Sequence, residues 1–303
     1  MFMESDIVFV CRPFCELCGG ERQHVLLSKS FTDPSILQFL EQYYKGRIPR
    51  SILPSTPFEI VRCEQCGFLS QRWILNENGL RVLYSEWIDA DVSHAKKTFA
   101  GAEVTLGYVR EVMTIGAFFR RPAPEIHVLD YGMGWGGWAK TAKTFGYDVS
   151  GIELSEERRQ HARSLGIPVM DMKTLPQGHF DFINAEQVFE HVSKPREVLS
   201  SLSHSLAVGG VIRIAVPNAT KELHALQHRD WKAHKGPFQP LEHINCFTHQ
   251  TLSALGKAVG LTPVTRPLFP LLAGTLTHVP VQLLAPLYLR FFGTTVYFRK
   301  LSL

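Results

Sequence analysis

The chain has 303 residues, 45% apolar and 20% charged, with a net charge of +4 at neutral pH. Such a composition can bury the core of one medium domain plus a smaller appendage, and it excludes a disordered chain. The slight basic excess forms no single block, which argues against a phosphate-tracking surface and against nucleic acid as the partner.

The first ten residues hold Glu4, Asp6 and a four-residue apolar run, Ile7 to Val10. Without the basic flank of a secretory signal, the expected compartment is the cytoplasm. Four of the six cysteines follow as Cys15-Glu-Leu-Cys18-Gly and Cys63-Glu-Gln-Cys66-Gly. Thiolates two residues apart can be aimed at one cation by a tight turn, and the glycine after each pair supplies the backbone conformation the turn needs. Cys15, Cys18, Cys63 and Cys66 are therefore expected to hold a structural zinc ion in a closed four-sulfur site. A disulfide suits the cytoplasm poorly, and a redox pair would not account for two copies with matching glycines. Between the pairs, Ser35 to Tyr44 has helical spacing and precedes a Pro-rich loop, Ile48 to Pro57.

These features set a zinc-binding module over residues 1–73 and a helical linker over 74–122. Pro122 and Pro124 mark the start of a second domain, 123–303. From Glu125 onward, short apolar strands alternate with helical stretches, the pattern of an α/β fold with a parallel sheet. Ile126 to Asp130 reads as the first strand, Tyr131 to Gly137 (YGMGWGG) as a glycine-rich turn, and Trp138 to Phe145 as the helix it opens. Asp148 to Ile152 is the second strand and ends at Glu153.

Glycines at the carboxyl end of a strand let backbone approach a ligand, and an acid after the next strand can accept ribose hydroxyls. Gly132, Gly134, Gly136 and Glu153 are thus candidate cofactor contacts. Gly132, Gly134 and Gly137 also satisfy a dinucleotide spacing, so a nicotinamide or flavin enzyme is the competing reading. Later come a strand over Phe180 to Ala185 followed by Glu190-His191, a Gly209-Gly210 turn, and a fifth strand over Val211 to Val216. Leu261–Pro267 and Thr294–Lys300 read as a closing antiparallel hairpin. The apolar stretch between them is broken by prolines, Gly274, His278 and Arg290, so no membrane span is expected. Its Leu271–Phe292 portion reads first as core packing, with a homodimer contact or substrate lid second.

Taken in order, Asp130 before the turn, the strand ending at Ala185 with its Glu-His pair, and the double-glycine turn before a strand closed by Pro217-Asn218 resemble the class I S-adenosylmethionine (SAM)-dependent methyltransferases, over roughly residues 125–299. The resemblance implies a Rossmann-like seven-stranded sheet with Asp130, Gly132, Gly134 and Gly136 around the methionine part of SAM. It places Glu153 on the ribose, Asp171 and Met172 near the adenine, and Ala185 toward the methionine end. Asp171 reads equally as a solvated loop acid. Glu190 and His191 read first as a helix cap or packing pair.

The connection from Pro217 to Phe247 holds His224, His228, Trp231, His234, Glu242 and His243. Methyl transfer is a direct displacement that needs alignment and, for some acceptors, removal of a proton, which histidine suits. His243 is the candidate general base, with Glu242 polarising it or binding substrate, because Leu241 to Thr248 resembles a Glu-His segment of related methyltransferases. Together with the front zinc module, this segment is similar to sugar C-methyltransferases, although Pro240 stands where their motif has tyrosine. The expected acceptor is a small molecule, a nucleotide-linked sugar or natural-product intermediate methylated at carbon or oxygen. The alternative is an RNA or tRNA base methyltransferase using the zinc module for nucleic-acid contact.

Overall fold

The computed structural model describes residues 6–54, 56–88, 101–226, 231–267 and 293–302. Its strands, in chain order, are β1 (Phe9–Cys11), β2 (Gln23–Ser30), β3 (Pro57–Cys63), β4 (Leu69–Gln71), β5 (Trp73–Leu75), β6 (His127–Tyr131), β7 (Asp148–Ile152), β8 (Phe180–Glu186), β9 (Leu206–Pro217), β10 (Asn245–Cys246), β11 (Thr262–Val264) and β12 (Gly293–Arg299). Contacts group the described residues into two compact units that interleave along the sequence. Unit 1 draws on Met1–Ser93, Glu190–Pro195 and Pro217–Leu252; unit 2 draws on His94–Phe189, Arg196–Val216 and Ser253–Leu303.

In unit 1, β2, β3 and β4 pair antiparallel, and β10 joins the sheet at β4, giving the order β10-β4-β3-β2. β1 and β5 form a separate antiparallel pair. The helix expected from Ser35 begins at Pro34: Asp33 caps it by accepting the Ser35 N–H at 2.9 Å, and proline fits its first turn. Ile36, Leu40 and Tyr44, four residues apart, present one buried face. They join Phe31, Phe58, Trp231 and Phe238 in the core of this unit, where Phe58 and Trp231 stack with centroids 5.4 Å apart.

The fastening of residues 190–195 and 217–252 to this unit is polar as well as apolar. Buried Arg12 donates to the Ile244 carbonyl and to Asn245 Oδ1, both at 2.9 Å. Asn245 Nδ2 in turn donates to the Val192 carbonyl at 2.6 Å, and the Asn245 N–H to the Glu190 carbonyl at 3.0 Å. Gln71 Nε2 reaches the carbonyls of Gln239 and His243. Apart from the half-buried Val192, each of these groups is buried, so each such bond offsets a desolvation cost on the order of 1–3 kcal/mol that an unpaired group would carry.

Unit 2 is an α/β fold whose sheet has the order β11-β12-β9-β8-β6-β7. β7, β6, β8 and β9 run parallel, and β11 and β12 form the expected antiparallel hairpin. Among the described residues this sheet has six strands. Beyond β7, Val169 pairs with Gly151 through an isolated parallel bridge. Pro168 has no N–H to continue a ladder, and the bonds reduce to Gly151 N–H to the Pro168 carbonyl and Met170 N–H to the Gly151 carbonyl. β6 lies between β7 and β8, so the connections leave it in opposite directions, and the crevice at its carboxyl end is where such sheets bind ligands. Trp138, on the helix Gly137–Thr144, stacks on Phe182 of β8 and closes one face of the core.

Among the described residues no helix is long and apolar enough to cross a membrane. The expectations for Leu271–Phe292 and for His228 lie outside the described residues.

Candidate functional site

Three groups of candidate residues come together, two in unit 1 and one in unit 2. In the first, the two cysteine pairs fold into matching knuckles. Gly19 N–H donates to the Cys15 carbonyl and Gly67 N–H to the Cys63 carbonyl, while Cys15 and Cys63 N–H donate across to residues 20 and 68. Gly19 and Gly67 have φ of 76° and 73°, a conformation that a side chain would strain. The four sulfurs lie within 4.8 Å of one another, with Cys15 to Cys66 and Cys18 to Cys63 each 3.6 Å apart. That is far beyond the ~2.05 Å of a disulfide and close to the ~3.8 Å edge of a tetrahedron built on Zn–S bonds of ~2.3 Å. The donor set thus fits a soft tetrahedral cation.

In unit 2, β6 delivers buried Asp130 to the head of the glycine turn. Asn184 Nδ2 donates to Asp130 Oδ1 at 2.8 Å, and Arg213 Nη1 donates to Asn184 Oδ1 at 2.6 Å. Arg213 also pairs with Glu111 and Glu186, at 2.5 and 3.3 Å. Burial lifts the Glu111 carboxyl to about 7. The turn motif does not announce this Asp130-Asn184-Arg213 chain; its sequence trace is a buried Asn in β8 and the single Arg of β9.

Gly132, Gly134 and Gly136 all have positive φ. A Cβ on Gly132 would meet Val188 Cγ2 at 2.4 Å, so the turn has no room for a side chain there. The Gly132 and Met133 N–H groups bond the Ile152 carbonyl, fastening the turn to the end of β7. Glu153 stands at that end. Its Oε2 accepts the Gly134 N–H at 2.9 Å, and its Oε1 accepts the N–H groups of Leu154 and Ser155. Three of roughly four acceptor directions are thereby occupied, which fixes the carboxylate's aim. Ala185, fully buried, pairs with Tyr131 in the ladder between β8 and β6. Asp171 is exposed and accepts the Lys173 N–H, capping the short turn that contains Met172.

The third group surrounds His243. One ligand atom from each of Glu190, His191 and His243 lies within 4.8 Å of the other two, with His191 Nε2 3.9 Å from Glu190 Oε1. The histidine rings meet edge to face at 5.0 Å. His191 Nδ1 lies 2.9 Å from the Glu242 carbonyl and His243 Nδ1 2.6 Å from the Gly236 carbonyl. A carbonyl only accepts, so each Nδ1 carries the proton and each lone pair is on Nε2. Burial, which opposes the charged form, lowers His191 to about 4 and His243 to about 3.

The polarising partner of His243 is thus the Gly236 carbonyl. The Glu242 carboxylate instead accepts from Tyr44 Oη at 2.6 Å and from Gln239 Nε2 at 2.8 Å, and burial raises it to about 7. Tyr44 and Gln239 lie 198 and 3 residues from Glu242, and no local pattern announces the first of them. Glu190 and His191, read as a cap or packing pair, stand in the turn after β8, next to His243. His234 lies apart from this cluster, paired with Glu222 and raised to about 8 by that bond.

A family model described as a methyltransferase domain matches residues 107–266, more than half of the chain. The chain is 29% identical over 145 residues to a probable fatty acid methyltransferase of Pseudomonas putida, covering 43% of this chain and 36% of that protein. It is 30% identical over 118 residues to the ubiquinone biosynthesis O-methyltransferase of Caulobacter sp. (strain K31), covering 35% and 47%. The matches therefore span less than half the length of these two relatives. Among solved structures, the plantazolicin methyltransferase BamL, in complex with a triazolic desmethylPZN analog and SAH, aligns at a TM-score of 0.54 and 15% identity over 74% of this chain and 94% of that one. At that identity the likeness concerns the fold alone.

Proposed function

Because the chain belongs to the methyltransferase-domain family, we propose that it transfers a methyl group from SAM to a small molecule, a nucleotide-linked sugar or natural-product intermediate, at carbon or oxygen. The observation that carries the cofactor half is the Glu153 carboxylate, tied to the Gly134 N–H at the carboxyl end of the central parallel strands. Bound there, SAM would supply an electrophilic methyl on a sulfonium. Asp130, Gly132, Gly134, Gly136 and Ala185 would face its methionine part, Glu153 would hold the ribose, and Asp171 and Met172 would lie toward the adenine. Asn184 holds the Asp130 side chain in place through Oδ1, and Arg213 in turn holds Asn184.

Proton removal from the acceptor falls to His243, through Nε2, with Nδ1–H held by Gly236. Burial keeps the His243 ring neutral, with the Nε2 lone pair free to take up a proton. Glu242, oriented by Tyr44 and Gln239, is assigned to substrate binding. Cys15, Cys18, Cys63 and Cys66 would hold zinc in a closed shell, a structural role. That the curated relatives are named for ubiquinone and fatty acid methylation supports a small-molecule acceptor.

The test is twofold. SAM should raise the melting temperature where a nicotinamide dinucleotide does not. Labelled SAM should then be turned over against a panel of nucleotide-sugars, polyketides and tRNA; label in tRNA alone would replace this reading with base methylation.

A further inference from the structure

The geometry points to a second metal site in unit 1, distinct from the four cysteines: Glu190, His191 and His243 bind one divalent first-row transition-metal cation. The donor set is two imidazoles and one carboxylate, whose ligand atoms already lie within 4.8 Å of one another. In His191 and His243 the Nδ1–H is fixed on a main-chain carbonyl, of Glu242 and Gly236 respectively, which leaves Nε2 as the donor. Locking one ring nitrogen on an oxygen acceptor is how proteins orient histidine ligands and strengthen the other nitrogen. Three independent main-chain positions hold the cluster. Asn245 N–H bonds the Glu190 carbonyl, Asn245 Nδ2 bonds the Val192 carbonyl, and Gln71 Nε2 bonds the His243 carbonyl.

The spacing suits the chemistry. Metal–nitrogen and metal–oxygen bonds of about 2.0–2.2 Å put neighbouring ligand atoms roughly 3.4 Å apart in a tetrahedron. The 3.9 Å between His191 Nε2 and Glu190 Oε1 is within a small side-chain rotation of that value. Nitrogen-rich ligation with one carboxylate favours zinc, cobalt or iron over calcium and magnesium. Three protein ligands leave a fourth position open, in contrast to the closed cysteine shell. Cation and acceptor proton would compete for the same His243 lone pair, so a filled site and a free base are alternative states of one cluster. The cation site stands on its own donors and does not depend on the methyl-transfer reading; if it fails, turnover by His243 is untouched.

The experiment is a cobalt titration of the full chain with its cysteine site already loaded with zinc. A second equivalent per chain is expected, with weak visible bands and no thiolate-to-cobalt charge transfer. The cobalt form should show two hyperfine-shifted imidazole N–H resonances by NMR, one from each Nδ1–H, which a four-sulfur site cannot give. His191→Ala and His243→Ala should each weaken the second equivalent by at least about 100-fold, and Glu190→Gln by about 10–100-fold. In these variants cobalt bound at the cysteines of zinc-free protein reports that unit 1 is folded. A wild-type chain that takes up no cobalt beyond its zinc, absence of shifted imidazole protons, or undiminished binding in folded His243→Ala would each overturn the site.

Discussion

The glycine turn of unit 2 and the histidine cluster of unit 1 are built in opposite ways. Asp130, Gly132, Gly134 and Glu153 lie within 24 successive residues on one strand-turn-helix-strand unit; the turn is bonded to the end of β7 within that unit, and Asp130 reaches out of it to Asn184 on β8. Glu190, His191 and His243 come from two remote segments that meet only because Arg12, Gln71 and Asn245 fasten them. A site made by local chain geometry tolerates change outside its own turn, whereas an assembled site inherits the stability of everything that assembles it.

The sharpest way to break the contrast is to remove the metal ligands. Cys63→Ser, or a strong chelator, should unfold unit 1 and protect unit 2 unchanged, by hydrogen exchange; structural zinc in small modules contributes on the order of 10 kcal/mol. Equal loss of protection in both units would show that they are not energetically separable. Next comes His243→Ala. It should leave SAM affinity intact and lower turnover by about 10²–10⁴, whereas Glu153→Ala should weaken SAM binding, read by calorimetry. Normal turnover in both would remove both assignments. Gly132→Ala is the complementary local test. Its positive φ and the 2.4 Å approach to Val188 predict a loss of about 2–4 kcal/mol confined to unit 2, measured by urea unfolding.

The pH dependence sets groups of unit 1 against one another. Burial raises Glu242 from 4.5 to about 7, so the folded state holds that proton more tightly. Its contribution is full below 4.5 and is lost as pH climbs to about 7, a change on the order of 3 kcal/mol. His191 and His243 run the other way: lowered to about 4 and 3, they contribute above 6.5 and lose that as pH falls through the folded values. The opposing slopes partly cancel in the wild-type chain. Glu242→Gln should unmask the histidines, giving unit 1 a stability that rises steadily with pH up to about 6.5; a flat profile in that variant would contradict the burial of the rings.

What could be read before folding follows the same division. β7 was expected with the bounds it has, and β6, β8 and the Trp138 helix to within a residue or two, because apolar runs bounded by Gly, Pro and acids are local signals. The cysteine knuckles were legible from spacing alone. Not legible was the allegiance of residues 241–248. β10 is two residues long, and its pairing with β4 depends on the Gln71 and Arg12 side chains finding carbonyls about 170 and 232 residues away. Tyr44, a partner of Glu242, escaped for the same reason: it belongs to a stretch read only for its helical spacing.

That two-residue pairing has a consequence for biosynthesis. The edge of β4 and the guanidinium of Arg12 are complete only when Ile244 to Cys246 arrive, so the amino-terminal sheet leaves the ribosome long before its last strand exists. At ordinary elongation rates of 5–20 residues per second, roughly ten seconds or more must pass with that edge bare. A nascent chain of this kind would need shielding from its neighbours until translation has passed the midpoint of the final third, and truncations that end before residue 246 should aggregate even though Cys15, Cys18, Cys63 and Cys66 are already in place.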